Sequence, residues 1–480
     1  MSSLKDLNRL ACRYTIPSSS TPITETLSRW GAASLKHPAI IVHPTTEHDV
    51  VAAVEVARQN QLKVLPAGGT HGSFVSVTSQ NLYLDMSELD DIAINKTRQT
   101  VTIGGGVTVG KLLKALTAAG FYAPIPDSNA VGVVGAVLGG GTSHFLGLNG
   151  LTVDNVENLR VVTAGNDTAE ARTVSASSHA EERALFHALC GAGYGLGAVV
   201  SATLRIYPVE ELHLTENKVW TRQLIFPPRA LEPAAEAFIK LQAYGPLPAQ
   251  NTNLLFVRSP PGTPNAGSPV IILSTSYFGP SSEAEAAAAD LLDQELSAQA
   301  IHTKTSLVPL ETMNDALEPL NSHAGHKLMM ASKLRGHTME GINASFDKWL
   351  ATTDRYPDAQ GTNILFSAQN SLKSQRLGKE TPGADHLVEE SIRERGCMVM
   401  SMVWCFSPET ASALSGFSKE IVEINLKVQQ GVKASQPPSF MSSGTKLEDL
   451  FLKERAEKVR AGKKMWDGNG VFWSPFEMSD

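Results

Sequence analysis

The stretch Pro66-Ala-Gly-Gly-Thr-His-Gly-Ser-Phe74 decides how the rest of this chain is interpreted. It follows the apolar run Leu62–Leu65, which predicts a strand. Three glycines allow a tight turn that brings backbone N–H groups close to a bound group, and such a loop suits a phosphate. His71 stands at its centre, within reach of a ligand. An ordinary tight turn would have the same composition, so the flanking sequence must decide between these two interpretations.

Composition limits the classes of protein to which the chain can belong. Its 480 residues suggest two to three domains, and 42% hydrophobic with 19% charged residues is typical of a globular chain with a sizeable core. A formal net charge of −7 without a basic block argues against nucleic acid and anionic membranes as partners. No apolar run is long enough to span a bilayer, and the N-terminus lacks the apolar core of a signal peptide. We therefore expect a cytoplasmic protein.

The cysteines give no sign of a metal site or a disulfide framework. The spacing of Cys12, Cys190, Cys397 and Cys405 fits neither pattern. Cys397 and Cys405 share one apolar, strand-like run, so we expect buried thiols there and no metal ligands.

The residues around the opening stretch predict a β-α-β unit. His37–His43 is a short β-branched run, and Thr46 with Asp49 three residues later is close to a capping box at the start of a helix. The glycine loop then follows the second strand of the unit, a usual position for ligands. A further helix is predicted over Val109–Ala119, before Gly120.

Two more glycine-rich stretches follow. Ala123–Gly141 holds glycines at 132, 135, 139, 140 and 141, which predicts either a closely packed Gly/Ala helix or a loop against a ligand. So many glycines cost conformational entropy, which a large cofactor could offset. The second stretch, Gly191–Gly197, superficially matches a dinucleotide fingerprint. It lies between a predicted helix and a strand, the reverse of the required order, so we exclude a nicotinamide-type Rossmann site.

Taken together, these stretches resemble the PCMH-type flavin-binding domain of the vanillyl-alcohol oxidase superfamily and, more narrowly, the berberine-bridge-enzyme-like oxidases. The resemblance covers roughly residues 37 to 208 and is carried by residues 66–73, 104–106, 131–141, 150–156 and 191–200. A second part is the predicted basic helix Leu452–Met465 with the segment Trp466-Asp-Gly-Asn-Gly-Val-Phe-Trp-Ser-Pro475. That segment is similar to the one with which the family's chains return to the flavin domain.

The resemblance implies a fold and a division of the chain. The expected class is α+β, with a two-subdomain FAD-binding domain and an α+β substrate domain whose antiparallel sheet covers the flavin. The expected division is a lead-in over 1–36, the FAD-binding domain over 37–208, the substrate domain over 209–430 and a C-terminal segment over 431–480. Glu283–Leu296, in the substrate domain, is predicted to be a helix rich in alanine.

The resemblance also implies FAD, with its diphosphate on the loop at 68–73. His71 falls on the position that bonds covalently to the 8α-methyl group of the flavin in many family members, and a neutral imidazole is a suitable nucleophile. Doubly tethered members have a cysteine where this chain has Ser128, so we expect one tether through His71 or none. The predicted cofactor-binding residues are Pro66, Ala67, Gly68, Gly69, Thr70, His71, Gly72, Ser73, Asp127, Ser128, Val131, Gly132, Gly135, Gly139, Gly140, Gly141, Thr142 and Val199.

One strand in the middle of the chain stands out. In Cys397–Phe406, the side chains Met398, Met400, Met402, Trp404 and Phe406 alternate onto one face. We interpret this face first as packed on a helix layer. The other interpretation is an adaptable apolar wall over the flavin, because methionine packs around irregular shapes. Either arrangement suits a large apolar substrate better than a sugar.

The resemblance leaves three functions open. The first is an FAD-dependent oxidase that takes hydride from a small or medium-sized, largely apolar molecule, as in secondary-metabolite tailoring, and passes the electrons to O2. The alternative is a non-redox isomerase or cyclase that uses FAD as a scaffold. The third, a cofactor-free binding module, would be excluded by yellow purified protein. The sequence does not identify the catalytic base, for which the residue types allow Tyr122, His144, Tyr194, His323, His326 and Glu340.

Overall fold

The computed structural model describes residues 4–31, 34–165, 168–243, 246–263, 265–429 and 431–476. Its strands are β1 (Arg13–Thr15), β2 (Ile40–His43), β3 (Lys63–Ala67), β4 (Asn81–Asp85), β5 (Ile92–Asn95), β6 (Thr100–Gly104), β7 (Phe121–Tyr122), β8 (Val156–Thr163), β9 (Glu170–Ser175), β10 (Ala198–Arg205), β11 (Tyr207–Pro208), β12 (Lys218–Phe226), β13 (Gln250–Arg258), β14 (Pro269–Tyr277), β15 (His302–Pro309), β16 (His326–Leu334), β17 (Asn363–Gln369) and β18 (Cys397–Cys405).

Its α-helices are α1 (Ile23–Thr26), α2 (Glu47–Gln59), α3 (Val109–Ala118), α4 (Val133–Leu138), α5 (Leu146–Asn149), α6 (Ala180–Ala192), α7 (Leu231–Ala243), α8 (Ser281–Ala287), α9 (Ala289–Leu292), α10 (Gln294–Gln299), α11 (Glu318–Asn321), α12 (Met339–Arg355), α13 (Leu372–Leu377), α14 (Glu390–Glu394), α15 (Pro408–Ala413), α16 (Phe417–Lys427), α17 (Leu447–Leu450) and α18 (Lys453–Trp466). None of the helices in the described ranges is long and apolar enough to cross a membrane.

The first sheet contains the predicted β-α-β unit. Its strand order is β1-β2-β4-β3, and β4 runs parallel to both β2 and β3. Helix α2 begins at Thr46, which forms the predicted capping box with Asp49, and it buries Val50 and Val54. The unit is confirmed, and it places the glycine loop at the carboxyl end of β3.

The second sheet is antiparallel, with the order β5-β6-β10-β8-β9. Helix α3 buries Val109, Leu112, Leu113 and Leu116 beneath it, as the apolar spacing predicts. The stretch that carried two interpretations, Ala123–Gly141, contains the six-residue helix α4 between loops. Strand β10 follows α6 and the glycine-rich turn at 193–197, so the rejected nucleotide motif does precede a strand.

The third sheet is antiparallel and has seven strands in the order β15-β12-β14-β13-β17-β18-β16. Helices α7, α12 and α16 pack on one of its faces around a core that includes Phe256, Phe366 and Trp349. The predicted α+β class with an antiparallel sheet in the second half of the chain is confirmed. The single helix predicted over Glu283–Leu296 is wrong, because the chain breaks at Ala288 and again at Asp293, which caps α10.

The C-terminal segment joins the first sheet. The predicted basic helix is α18, and its buried Lys463 donates to Asp467 at 2.5 Å and to the Gly195 carbonyl at 2.6 Å. Beyond the turn, Val64 of β3 donates its N–H to the Val471 carbonyl and accepts from the N–H of Trp473, both at 2.8 Å. The end of the described chain is therefore anchored beside the strand that leads into the glycine loop.

Candidate functional site

One deep cleft of about 340 Å³ lies between the glycine-rich loops and the seven-stranded sheet. Its first side, which we call the glycine wall, is formed by Gly68, Gly69, Gly72, Gly105, Gly132 and Gly135. Its second side, the methionine wall, is formed by Leu255, Met329, Leu365, Met398, Met400 and Met402. Residues from both halves of the chain therefore line the cleft.

The glycine wall is built by close contact between backbones. A Cβ atom placed on Gly69 would lie 2.2 Å from the backbone nitrogen of Gly132, and one on Gly68 would lie 2.9 Å from the Gly105 carbonyl oxygen. No side chain fits between these segments. The loop after β3 therefore approaches Gly105 and Gly132 this closely because no side chain stands at either contact.

Gly135 has a different role in the same wall. It lies in α4, whose valines at 133, 134 and 137 are buried in the core. Gly135 itself is exposed and lines the cleft, and a Cβ placed on it would have no atom of the protein within 4 Å. Helix α4 therefore presents bare backbone to the cleft, with room for a flat or extended ligand to approach closely.

His71 lies in the loop after β3, following Thr70, whose φ of 54° marks the turn. Its ring stacks on Trp30, with centroids 4.1 Å apart and planes 17° from parallel. Burial lowers the pKa of His71 to about 4, while the nearby Asn321 side chain acts in the opposite direction and the Lys327 cation lowers it further. Its Nε2 is buried without a hydrogen-bond partner among the described residues. The imidazole is thus neutral at physiological pH.

The methionine wall corrects our first interpretation of β18. Met398, Met400 and Met402 line the cleft, whereas the alternate residues Val399 and Val403 pack on the helices. Trp404 and Phe406 lie outside the wall. Trp404 has the Lys327 ammonium over its ring, and Phe406 follows the end of the strand and is 60% exposed. Alternation predicted the shared face correctly, but it could not tell which face meets the helices.

The predicted cofactor residues line the cleft with three exceptions. Ser73, Gly139 and Gly140 lie outside it. Gly139 is buried, and a Cβ on it would lie 2.2 Å from Ser439 Oγ and 2.7 Å from the Tyr194 hydroxyl, both of which belong to cleft-lining residues. Segment 439–440 thus occupies the side of the loop that we expected to meet the cofactor. Ser128 lines the cleft, and its hydroxyl donates to Asn321 Oδ1 at 2.7 Å.

Of the six residues considered for the base, only Tyr194 lines the cleft. Its hydroxyl donates to the Gly135 carbonyl at 2.9 Å, and burial raises its pKa to about 12. Other ionisable side chains in the described lining are Arg29, His71 and Asp127. Among the described residues that line the cleft, the methionine wall contributes no carboxylate and no imidazole.

Several lining residues were not predicted from the sequence. Trp30 and Arg29 come from the lead-in, Asn321 from the end of α11, and Ser439, Phe440 and Trp473 from C-terminal loops. Of these, Trp473 belongs to the C-terminal segment that carries part of the resemblance, and the others lie in no motif of the sequence. One further signal was present in the sequence, the alternation of side chains in β18. Pairing β18 with β16 would have added Met329 to the same face, because Met329 is the partner of Met402.

A family model described as "FAD binding domain" matches residues 38–171. The chain is 30% identical over 462 residues to the FAD-linked oxidoreductase hasG of Aspergillus fumigatus, with 93% of each protein covered. It is 34% identical over 270 residues to the FAD-linked oxidoreductase OXR1 of Pyricularia oryzae, covering 55% of this chain and 49% of that protein.

Solved structures share the whole fold. BBE-like 1 of Physcomitrella patens superposes with a TM-score of 0.80 at 20% identity, covering 100% of this chain and 99% of that one. The 6-hydroxy-D-nicotine oxidase of Arthrobacter nicotinovorans superposes with a TM-score of 0.78 at 16% identity, covering 99% and 100%.

Proposed function

Since this chain belongs to the FAD-linked oxidoreductases, we propose that it is an oxidase of a small or medium-sized, largely apolar organic molecule. The substrate binds between the cofactor and the methionine wall, and O2 accepts the electrons. The observation that carries this proposal is the juxtaposition of the glycine wall and the methionine wall across one cleft. A tailoring step on a secondary metabolite would use such a site.

The residues of the cleft fit FAD in two respects. Bare backbone at Gly135 leaves the close approach that a large planar or extended group needs. The ring of His71 is neutral, and one of its nitrogens has no partner in the described structure. When bound, FAD supplies two-electron redox chemistry by accepting a hydride.

We assign the cofactor to the glycine-wall side of the cleft. Residues 68–72 would hold the diphosphate through backbone N–H groups, and His71 would supply a single covalent tether to the flavin. Asp127, Val131, Thr142 and Val199 complete this side. Ser128 makes a second tether chemically unsuitable, because a hydroxyl is a far weaker nucleophile than a thiolate.

The protein's contribution on the substrate side is orientation and exclusion of water. The four methionines of the wall adapt to irregular apolar shapes, and Asn363 is a polar side chain among them that can fix one orientation. We also propose that residues 37–208 form the FAD-binding unit and 209–430 the substrate unit, with 431–480 returning to the former. The sheet composition and the pairing of Val64 with the C-terminal segment support this division.

The first experiment is acid precipitation of the purified protein, with flavin absorbance recorded in pellet and supernatant. We expect flavin in the pellet of the wild type and in the supernatant of His71→Ala. Flavin confined to the wild-type supernatant would refute the tether, and colourless protein would refute the cofactor assignment.

Oxygen consumption then separates oxidase from scaffold. An oxidase consumes about one O2 per product with any apolar substrate that it turns over, and its flavin bleaches when oxygen is removed. Turnover without oxygen uptake and without bleaching would refute the oxidase and favour the isomerase or cyclase.

A further inference from the structure

Trp30, from the segment before the first parallel strand, lies between His71 and the seven-stranded sheet. Its indole stacks on the His71 ring at 4.1 Å. The Lys327 ammonium lies 4.7 Å from the ring centroid of Trp30 and 4.4 Å from that of Trp404. We call these four side chains, Trp404, Lys327, Trp30 and His71, the Trp30 stack. It runs from β18 to the loop after β3.

Hydrogen bonds fix the middle of the Trp30 stack. Lys327 Nζ donates to the Trp30 carbonyl at 3.0 Å and to the Ser322 carbonyl. The indole Nε1–H donates to the Leu320 carbonyl at 2.7 Å. The backbone N–H of Trp30 donates to the Thr70 carbonyl at 3.4 Å, one residue before His71. The second half of the chain thereby holds a side chain that packs directly on His71.

The position of Lys327 is hard to explain by packing alone. The residue is fully buried, and its ammonium makes no ion pair with any carboxylate of the described residues. Burying an unpaired charge is costly, and contact with two indole rings offsets only part of that cost. A methionine would fill similar space without it, as methionines do nearby on the same sheet face. The charge therefore points to a role at a neighbouring group, and His71 is that neighbour.

We propose that Lys327 is a positioning residue for cofactor attachment: it clamps the Trp30 indole, which holds the His71 ring in one orientation toward FAD. This inference rests on the single tether proposed above. The tether replaces one C–H bond of the 8α-methyl group with a bond from carbon to a ring nitrogen of His71. The methyl hydrogen and the ring N–H leave as two protons, and the two electrons end on O2 as hydrogen peroxide.

Charge supports the same role. Burial is the main cause of the low pKa of His71, and the cations of Lys327 and Arg29, together with His323, lower it further. A neutral ring keeps the nitrogen lone pair that forms the bond. Lys327 thus acts on His71 twice, through the indole and through its charge.

The test compares Lys327→Met, Lys327→Arg and wild type in two measurements on the same samples: FAD per chain after desalting, and the share of that FAD that precipitates with acid. We expect Lys327→Met to keep about one FAD per chain but to lose at least tenfold in the acid-stable share. Lys327→Arg, which keeps the cation, should restore most of it. Lys333→Met is the matched control, because Lys333 is a buried lysine on the same face of β16, next to Met398. It should leave the acid-stable share unchanged.

Three outcomes would overturn the positioning role of Lys327. An acid-stable share in Lys327→Met equal to that of wild type overturns the positioning role and leaves the proposed function intact. Bound FAD in wild type with no acid-stable share overturns both the tether and the positioning role, but not the oxidoreductase. If Lys327→Met binds no FAD, Lys327→Gln decides, because its amide can still donate to the two carbonyls without the charge. Wild-type attachment in Lys327→Gln would overturn the proposal.

Discussion

The two walls of the cleft differ in what gives them their shape. In the glycine wall, backbone contacts backbone, and the 2.2 Å between a Cβ on Gly69 and the Gly132 nitrogen leaves no freedom. In the methionine wall, Met398, Met400 and Met402 present flexible side chains from a strand whose opposite face is packed on helices. A rigid side suits a cofactor that is always the same, and an adaptable side suits a substrate that must enter and leave.

The largest expected effect on stability is in the glycine wall. Gly69→Ala forces the loop after β3 away from Gly132, and we expect a loss of more than about 4 kcal/mol in the free energy of unfolding, with loss of bound FAD. Urea unfolding and absorbance at 450 nm measure the two. Gly462→Ala, in α18 with nothing within 4 Å of the added Cβ, is the control and should stabilise by about 0.5–1 kcal/mol. Wild-type stability and flavin content in Gly69→Ala would show that the glycine wall tolerates a substitution as well as the methionine wall does.

The second prediction concerns Lys333, a buried lysine next to Met398 of the methionine wall. Burial lowers the pKa of Lys333 to about 8 from its usual value of 10.5. The unfolded chain therefore binds more protons between these values, and stability rises with pH across that window. Below pH 8 the full penalty applies, on the order of 3 kcal/mol.

Lys333→Met removes that penalty. We expect the variant to be more stable than wild type by up to about 3 kcal/mol at pH 7, and by about half as much at pH 9.5. Urea unfolding at the two pH values measures the difference. Lys419→Met, whose side chain is largely exposed, should change stability by less than about 0.5 kcal/mol at either pH. A destabilised Lys333→Met at pH 7 would mean that the lysine has a partner worth more than its burial costs.

The third prediction compares the two faces of one strand. Met400 lines the cleft, and its neighbour Val399 is fully buried under the helices. We expect Met400→Ala to raise KM for an apolar substrate about tenfold, equivalent to about 1.4 kcal/mol, with little change in stability. Val399→Ala should instead cost about 1–2 kcal/mol of stability and leave KM unchanged. Equal effects of the two variants on KM would show that the strand acts on the cleft as a whole.

The same difference between the walls explains what could be predicted from the sequence. The glycine wall is encoded where it acts, because positions such as Gly69 and Gly132 admit no other residue and therefore appear as motifs. The methionine wall is encoded only as alternation, and choosing the face requires the helices that cover the other side. Trp30 and Asn321 could not be predicted, since each reaches the cleft through contacts between distant segments. Lys327 could not be predicted either, because nothing in the sequence distinguishes it from other lysines of the chain.

The smallest expected effect is at the hydrogen bond between Ser128 and Asn321. Ser128, on the side of the glycine wall, donates to Asn321, which comes from the second half of the chain and lies beside His71. Ser128→Ala removes that hydrogen bond and should cost about 1 kcal/mol of stability while leaving the acid-stable share of FAD unchanged, because the Trp30 stack still orients His71. Urea unfolding and acid precipitation measure the two, and Ser443→Ala, at an exposed position, is the control. A tenfold fall in acid-stable FAD in Ser128→Ala alone would mean that Asn321, rather than the indole, sets the orientation of His71.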